Sequence, residues 1–502
     1  MQSKTELFFE KGDVHDLVCQ SLEGQEGVSE LFEFRLLLQT QLDVNLEHVT
    51  AVLLDENTPA ILRLATPEGD SIIVGLVSSV VTLSAAHLSS AAFEVTIVPR
   101  IWRATRTRRS RLYENMTVPE IVKFALEHDY QFRDGDDFEL HCVTGHYPKE
   151  EYLVQYEESD WTFLSRLMEY YGISYYFRFD ERSRRDVLHV VDSSGGFQQY
   201  VGPEGATIPF NPAGKVGIDD AYVTSISRRA ELRHPNHVLV LGYDYEKPKA
   251  HVVAEKHGHA STQETPYCLF WEDCSDPKEA SFIAHVRQEE LEIQAISYKG
   301  ETHVSNLRPG QHFRLDQHFD PVFVDRSILV TRLVHQAKNA QGESASGYRN
   351  SFEAVEFGAV TLRPKRRTPC PRIDGVMFAK IASREGTPTA GEIDRWGRYR
   401  VIVPYPTVTA GRLHASHGSH MWIRMAQPNA SQRNIRGAAG FHMPLHAGTE
   451  VLLVHVNGDP DRPIIAGAVP NHLTQSPLYE SVATRGGIKT RSGITIQYDD
   501  DA

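Results

Sequence analysis

The eleven residues ELFEFRLLLQT, Glu30 to Thr40, place apolar side chains at Leu31/Phe32, Phe34, Leu36 and Leu38, with Glu33, Arg35 and Leu37 between them. A two-residue period of this kind predicts a strand with one buried face. The β-branched runs SIIVGLVSSVVTL (71–83) and AAFEVTIVPR (91–100) predict further strands, separated by short polar breaks. The first hundred residues therefore read as strand throughout.

The period then changes. TVPEIVKFALEHD predicts a helix that opens on a capping box, in which Thr117 caps the Glu120 amide and Glu120 reaches back. Pro119 is tolerated in its first turn. ESDWTFLSRLMEYYG predicts a second helix, capped by Ser159 and stopped by Gly172. Its apolar stripe is Phe163, Leu164, Leu167, Met168 and Tyr171, with Arg166 and Glu169 expected on the opposite flank, where they reach solvent or another subunit. A core role for this stripe outweighs a cofactor box. A third helix is expected over 276–294, with Asp276 as cap and Pro277 at its first position. Strands return in HFRLDQHF and SILVTRLVHQA. Three prolines and five basic residues crowd into 359–374, the composition of a linker. Short strands resume over 372–470. The tail ends in one strand with Ile494, Ile496 and Tyr498 on one face and no partner expected within the tail. The whole reads as mainly β with minor α.

Length and charge narrow the function. A chain of 502 residues exceeds one ordinary core, so three to four domains are expected. A net charge of −14 argues against a nucleic-acid footprint, which needs a basic face. The basic run at Arg100, Arg103, Arg106, Arg108, Arg109 and Arg111 has no ladder of aromatics beside it. It reads as a solvated, subunit-facing or lumen-facing surface. Five scattered cysteines with no C-x-x-C pair suit a reducing cytosol. The charged first thirteen residues lack an apolar core, so no signal peptide is expected, and no stretch has the length of a membrane span.

Candidate chemistry is sparse. In VNGDPDRP, Asp459, Asp461 and Arg462 could suggest a catalytic or metal constellation. Yet Asn457–Gly458 supplies turn chemistry, Asp459–Pro460 starts a turn, and Pro463 opens the next strand, so every residue has a structural role. Arg462 is expected to pair with one of the aspartates. His414, His417 and His420 lie three apart. Gly411, Gly418 and two serines around them predict a loop, not a helical metal face, although a trimer axis could still gather copies of one histidine. No G-x-S-x-G, P-loop or G-x-G-x-x-G occurs. No catalytic, cofactor-binding or metal residue is nominated, and no cofactor is expected.

Residues 150–180, EEYLVQYEESDWTFLSRLMEYYGISYYFRFD, resemble the VgrG family of type VI secretion spike proteins: V-Q-Y, E-S-D, then F-x-S-R-L-x-E-x-x-G-I and an aromatic strand. AAFEVTIVPRIWRATRTRRSRLYENMTVPEIV, DRWGRYRVIVPY with WIRMAQPNAS, and HMPLHAGTEVLLVHVNGDPDRPIIAGAVPN follow the family's order across nearly the whole chain. The resemblance implies a phage-baseplate-hub-like base over 1–362, built of two barrel-like domains with inserted α/β pieces. A linker over 363–371, an OB-fold over 372–470 and a neck over 471–502 would follow. The neck would lead to a β-helical needle that is truncated or absent at Ala502. It implies a homotrimer that docks on the hexameric Hcp tube, meets baseplate components, and carries a PAAR tip, effectors and their adaptors. Sheath contraction would drive it from the cytoplasm, without a signal peptide, through a target membrane that it meets mechanically. It would not be an enzyme and would bind no nucleic acid.

Three alternatives differ in what they need. A hub with lysozyme activity needs a hydrolase domain, for which 472–502 is too short. Single-strand binding by the OB-fold would need an aromatic platform, for which Trp396, Tyr399 and Trp422 are the available residues. A hub of a contractile phage or an extracellular injection particle is separated poorly from a type VI hub by sequence.

Overall fold

The computed structural model describes residues 6–500 apart from 13–16, 41–44, 67–68, 84–90, 144–146, 181–184, 203–204, 213–221, 232–234, 246–251, 259–264, 273, 275, 317, 325, 340–346, 359, 410, 415–417, 435–436 and 478–482. It is mainly β with few helices. Two compact units are present: residues 1–107, 117–148 and 159–368 form one, and residues 108–116, 149–158 and 369–502 form the other.

The first unit is organised by a 13-stranded sheet. Glu30–Thr40 is a strand as its period predicts, with Phe32, Phe34, Leu36 and Leu38 all buried. It pairs antiparallel with Ala92–Val98 on one side and Leu17–Gly27 on the other. A Cβ at Gly24 would lie 2.0 Å from the Phe34 ring, so this close pairing needs glycine. Leu17–Gly27 in turn pairs with Ser327–Lys338, which joins strands about three hundred positions apart in the chain. Apolar cores line the sheet, two of them large. One is built on Phe34, Leu62 and Val95, the other on Tyr298, Leu315 and Phe352. The all-strand reading of the first hundred residues needs one correction. Leu46–Leu53 is a helix, capped by the Asn45 side chain, which accepts from the amides of Glu47 and His48.

A buried polar network crosses the junction of those strands. Arg308 donates to Glu26 Oε1 at 2.9 Å, to Ser71 Oγ at 2.9 Å and to the Ile72 carbonyl at 3.1 Å. His335 Nε2 lies 3.0 Å from the same Glu26 oxygen, and its Nδ1 lies 2.7 Å from the Tyr348 hydroxyl. Asn350 donates to that hydroxyl and to the Val304 carbonyl, each at 2.8 Å. The Tyr348 hydroxyl thus joins Asn350 to one ring nitrogen of His335, and the other ring nitrogen faces Glu26. Burial raises the proton affinity of Glu26, but Arg308 and His335 outweigh it and hold the carboxyl below its usual range. Asp186 has the opposite balance. Loss of hydration pushes it up to about 7 against the pull of Arg308, and the Glu26 charge adds to the rise.

Around this sheet the predicted helices form where their caps place them. Thr117 and Glu120 make the reciprocal capping box, and the helix Val118–Phe124 continues as a wider turn to Asp129. Ser159 Oγ accepts from the Thr162 amide, Gly172 takes φ 71°, and the helix Asp160–Tyr171 lies between them. Phe163, Leu164, Leu167, Met168 and Tyr171 are all buried. The expected outward flank is corrected. Arg166 is only 9% exposed, with its guanidinium 5.0 Å over the Phe163 ring. Glu169 accepts from the backbone amides of Arg367 and Thr368, both at 2.8 Å. The last carbonyls of this helix are met by arginines: Arg287 donates to those of Glu169 and Tyr170, and Arg363 donates to that of Gly172 at 3.0 Å. Arg363, at the head of the predicted linker, is thus buried. Asp276 caps Pro277–Ile293 as expected, and this helix packs on the sheet of Val252–His257, His237–Gly242 and Pro266–Glu272.

The second unit contains a closed barrel of Met377–Ile381, Tyr399–Val403, Ser419–Met425, Pro463–Val469 and Glu450–His455. Beside it lies a four-stranded sheet in which Thr407–Thr409 pairs in parallel with Arg109–Met116, itself paired with Glu150–Glu158. Leu112 and Val154 from those two early strands enter the same core as Tyr399, Val401 and Leu453. The tail also departs from expectation. Thr495–Asp499 has a partner within the tail, Arg485–Lys489, in an antiparallel hairpin. Among the described residues no helix is long and apolar enough to cross a membrane.

Two outcomes follow. Leu167→Ala should cost about 2–5 kcal/mol in chemical denaturation, as truncation of a buried leucine does. Arg166→Ala should cost about 0.5–2 kcal/mol through its lost ring contact, and a silent Leu167→Ala would show that the stripe is not core. The second outcome concerns pH. The Glu26 contribution is present above the ordinary carboxylate range and is lost as pH falls. The contribution of Asp186, whose folded value is raised, is complete below that range and is lost as pH rises through about 7. Asp186→Asn should therefore flatten the fall in thermal midpoint between about pH 5 and pH 8, while the parent protein declines. Parallel curves for the two proteins would contradict the assignment.

Candidate functional site

Among the described residues, the histidines and aspartates weighed in the sequence do not form a metal-ligating cluster. His414 lies on the strand Arg412–His414 and His420 on the barrel strand Ser419–Met425, both exposed, so the loop reading is corrected at those two positions. His417 lies outside the described residues. Partial loss of hydration at the ring, with the charge of Arg400 adding to it, lowers the pKa of His420. Of the aromatics, Tyr399 is enclosed in the barrel core, where its hydroxyl accepts from the Leu445 amide at 3.0 Å. Trp396 is exposed, with Arg395 over its ring. All five thiols are unbridged.

The basic run is not a single solvated surface. In the first unit, Arg100 donates to Asp137 at 2.6 Å and Arg106 stacks over Trp102. In the second, Arg111 is buried and donates to the Tyr113 hydroxyl at 3.2 Å, while Arg108 pairs with Glu157 at 3.1 Å. Arg100, Arg103 and Arg106 belong to the first unit and Arg108, Arg109 and Arg111 to the second, so a run of like residues in sequence is divided between two units.

One constellation was missed. Glu139 and His141 stand two apart on the strand Phe138–His141 and so share a face. The parallel strand Arg185–Val191 brings His189 level with Glu139. His141 Nε2 lies 2.8 Å and His189 Nδ1 3.3 Å from Glu139 Oε2, and all three ligand atoms fall within 4.8 Å of one another. His189 is sandwiched by parallel rings, His141 at 5.9 Å and Tyr176 at 5.0 Å. Burial lowers the His189 pKa to about 4 against the pull of Glu139, with the charges of His141 and Arg178 lowering it further, so the ring is neutral at physiological pH. The alternation Glu-Leu-His was legible in sequence; the third member lies 48 positions on and only strand pairing supplies it. A looser group, His237, Glu255 and His257, sits on another small sheet, with both histidines about 4 Å from Glu255.

The GDPDRP loop has a structural role and a wider reach than a turn. Asn457 and Gly458 take φ 56° and 76°. The Asp459 carboxylate accepts from the Asp461 amide at 3.0 Å, and the Arg462 amide donates to the Asp459 carbonyl at 3.1 Å. Asp461 Oδ1 accepts from the Val154 amide at 2.5 Å, 307 positions earlier in the chain. The two aspartates thus split their work: Asp459 shapes the loop and Asp461 ties it to the strand Glu150–Glu158. Asp461→Ala should cost about 1.5–3 kcal/mol, the range for a hydrogen bond to a charged group, and Asp459→Ala about 0.5–1.5 kcal/mol. Urea titrations of both variants check this, and an Asp461→Ala no worse than Asp459→Ala would remove the tie.

Comparison with known proteins gives these features a family. Residues 25–341 match the model of the phage tail baseplate hub (GPD). The type VI secretion system spike protein VgrG1a of Pseudomonas aeruginosa is 27% identical over 494 residues, 95% of this chain and 71% of that protein. The actin cross-linking toxin VgrG1 of Vibrio cholerae is 28% identical over 407 residues, 77% of this chain and 34% of that protein. VgrG1c of P. aeruginosa is matched over 63% of its length, so the chain spans from about a third to about seven tenths of these relatives. Among solved structures, the E. coli c3393 protein is described as a type VI secretion component similar to the T4 bacteriophage tail proteins gp27 and gp5. It superposes with TM-score 0.66 at 22% identity, over 92% of this chain and 100% of its own. The Francisella PdpA–VgrG complex in its lidded form gives TM-score 0.60 at 10% identity, over 100% and 76%. With the hub model matching more than half of its length, the chain belongs to the phage tail baseplate hub (GPD) family.

Proposed function

We propose that the chain is the structural hub and spike subunit of a type VI secretion system, and that its work is mechanical and not catalytic. The observation that carries this reading is the match to a type VI spike protein across 95% of the chain. In this reading residues 1–362 are the hub-like base, 363–371 the linker, 372–470 an OB-fold and 471–502 a neck that leads toward a β-helical needle. The five-stranded closed barrel supports the OB-fold assignment. Three copies assemble, dock on the Hcp tube, accept a PAAR tip and carry effectors with their adaptors. Contraction then drives the assembly from the cytoplasm into a target cell, without a cofactor and without nucleic acid.

The tail favours trimer assembly on physical grounds. Arg485–Lys489 and Thr495–Asp499 form a two-stranded hairpin, which is marginal alone in water. Ile494, Ile496 and Tyr498 are each more than 60% exposed on it. An apolar row on a ribbon with free edges is an association surface, and two further copies would cover it. A hub of a contractile phage tail is the second reading, favoured by the family description itself. Neighbouring genes separate the two, and clearing of a peptidoglycan suspension by the pure protein would instead support a hydrolase.

Light scattering at micromolar concentration should give three times the mass of one chain. Ile496→Lys should reduce the trimer fraction and leave the circular dichroism unchanged. A monomer with an intact tail would overturn the proposal.

A further inference from the structure

We propose that Glu139, His141 and His189 form a binding site for a divalent transition-metal ion, with Zn2+ the ion that the donor set fits. The three donors come from two neighbouring strands of one small sheet, on one face, with their ligand atoms within 4.8 Å of one another, and small side-chain rotations that open the 2.8 Å His141–Glu139 hydrogen bond would aim them at one ion. Bond lengths of about 2.0–2.1 Å at tetrahedral angles place zinc ligands roughly 3.3 Å apart. The 3.3 Å between His189 Nδ1 and Glu139 Oε2 meets that spacing.

The detail that favours a ligand over a plain polar cluster is His189 Nδ1. It is buried, with 6% of the side chain exposed, yet makes no hydrogen bond. The Glu139 oxygen is within ion-pair reach of it but not in hydrogen-bond geometry. A buried polar nitrogen in that condition costs free energy that an ion between it and the carboxylate would recover. Its orientation is already fixed. Tyr176 stacks on it at 5.0 Å, and the Tyr176 hydroxyl donates to the Gly196 carbonyl at 2.8 Å. The site is also open to solvent on its other side, since Glu139 and His141 are each about 40% exposed. Two imidazoles and one carboxylate select a borderline ion over Ca2+ or Mg2+, which prefer oxygen donors. The Glu139 charge offsets that of Arg178, which acts on His189 from the neighbouring strand Ser174–Asp180. Bound zinc would staple the four-residue strand Phe138–His141 to its longer parallel neighbour.

The test uses the full chain without a histidine tag. Zn2+ is titrated calorimetrically, and metal retained after dialysis is measured. The expected result is about one bound Zn2+ per chain, a raised thermal midpoint with Zn2+, and no response to Ca2+ or Mg2+. His141→Ala and Glu139→Gln, at exposed positions that tolerate change, should abolish both effects. His257→Ala, in the looser cluster, should leave them intact. Zinc binding that survives His141→Ala, disappears only in His257→Ala, or is absent from the parent protein would overturn the proposal. His189→Ala adds support only if its circular dichroism matches the parent's.

Discussion

The large sheet depends on a buried charge that can be satisfied in one register only. Glu26 lies at the seam where the strand Leu17–Gly27 meets Ser327–Lys338. Arg308 and His335 both converge on its Oε1, and Arg308 also holds Ser71 and the Ile72 carbonyl from the strand Gly69–Leu83. A buried ion pair adds little net stability over apolar packing, because desolvation consumes most of the attraction. Its leverage lies in the alternatives. A slip of one residue would turn Glu26 to the other face and leave Arg308 buried and unpaired, at a cost of several kcal/mol. The alternation of Leu, Val and Phe on one face resists the same slip, and the buried charge adds to that specification.

Local features of this fold were legible because their causes are local. The capping box at Thr117, the cap at Ser159, the stop at Gly172 and the alternation of Glu30–Thr40 each reside within a few residues of chain. The GDPDRP loop was read as structural from its turn chemistry alone, and its geometry supports that. What escaped was partnership. Nothing near Val154 announces that its amide will donate to Asp461, and nothing near Thr495 names Arg485–Lys489 as its neighbour. Arg166 was assigned outward by helical angle, yet the stripe is wide enough for its guanidinium to lie on Phe163. The short helix Leu46–Leu53 was missed because only its Asn45 cap, and no long apolar period, marks it.

The same contrast explains the candidate metal cluster. A helical zinc motif can be found by eye, since its spacing is set by one element. Glu139, His141 and His189 converge only because two strands run parallel in one register. Parallel pairing requires a long connection, and here that connection includes the strand Glu150–Glu158 and the helix Asp160–Tyr171. The distance in sequence between ligands is therefore set by topology and carries no chemical signature. Histidine triples that are close in sequence, such as His414, His417 and His420, are the weaker guide in a β protein.

The barrel unit is also discontinuous in the gene. Arg109–Met116 and Glu150–Glu158 lie far upstream of Pro369, yet they belong to the same compact unit as the barrel. Leu112 and Val154 sit in its core, and Val154 receives the Asp461 bond. A recombination breakpoint placed in the proline-rich segment would therefore deliver a barrel without the two upstream strands of the neighbouring sheet and without part of its core. Swapping of this module between paralogues should succeed only when the upstream pair travels with it or is already compatible. Evolution at residues 109–116 and 150–158 is thereby bound to evolution at 407–414 and 461, and the unit of inheritance is larger than the stretch of chain that looks like a domain.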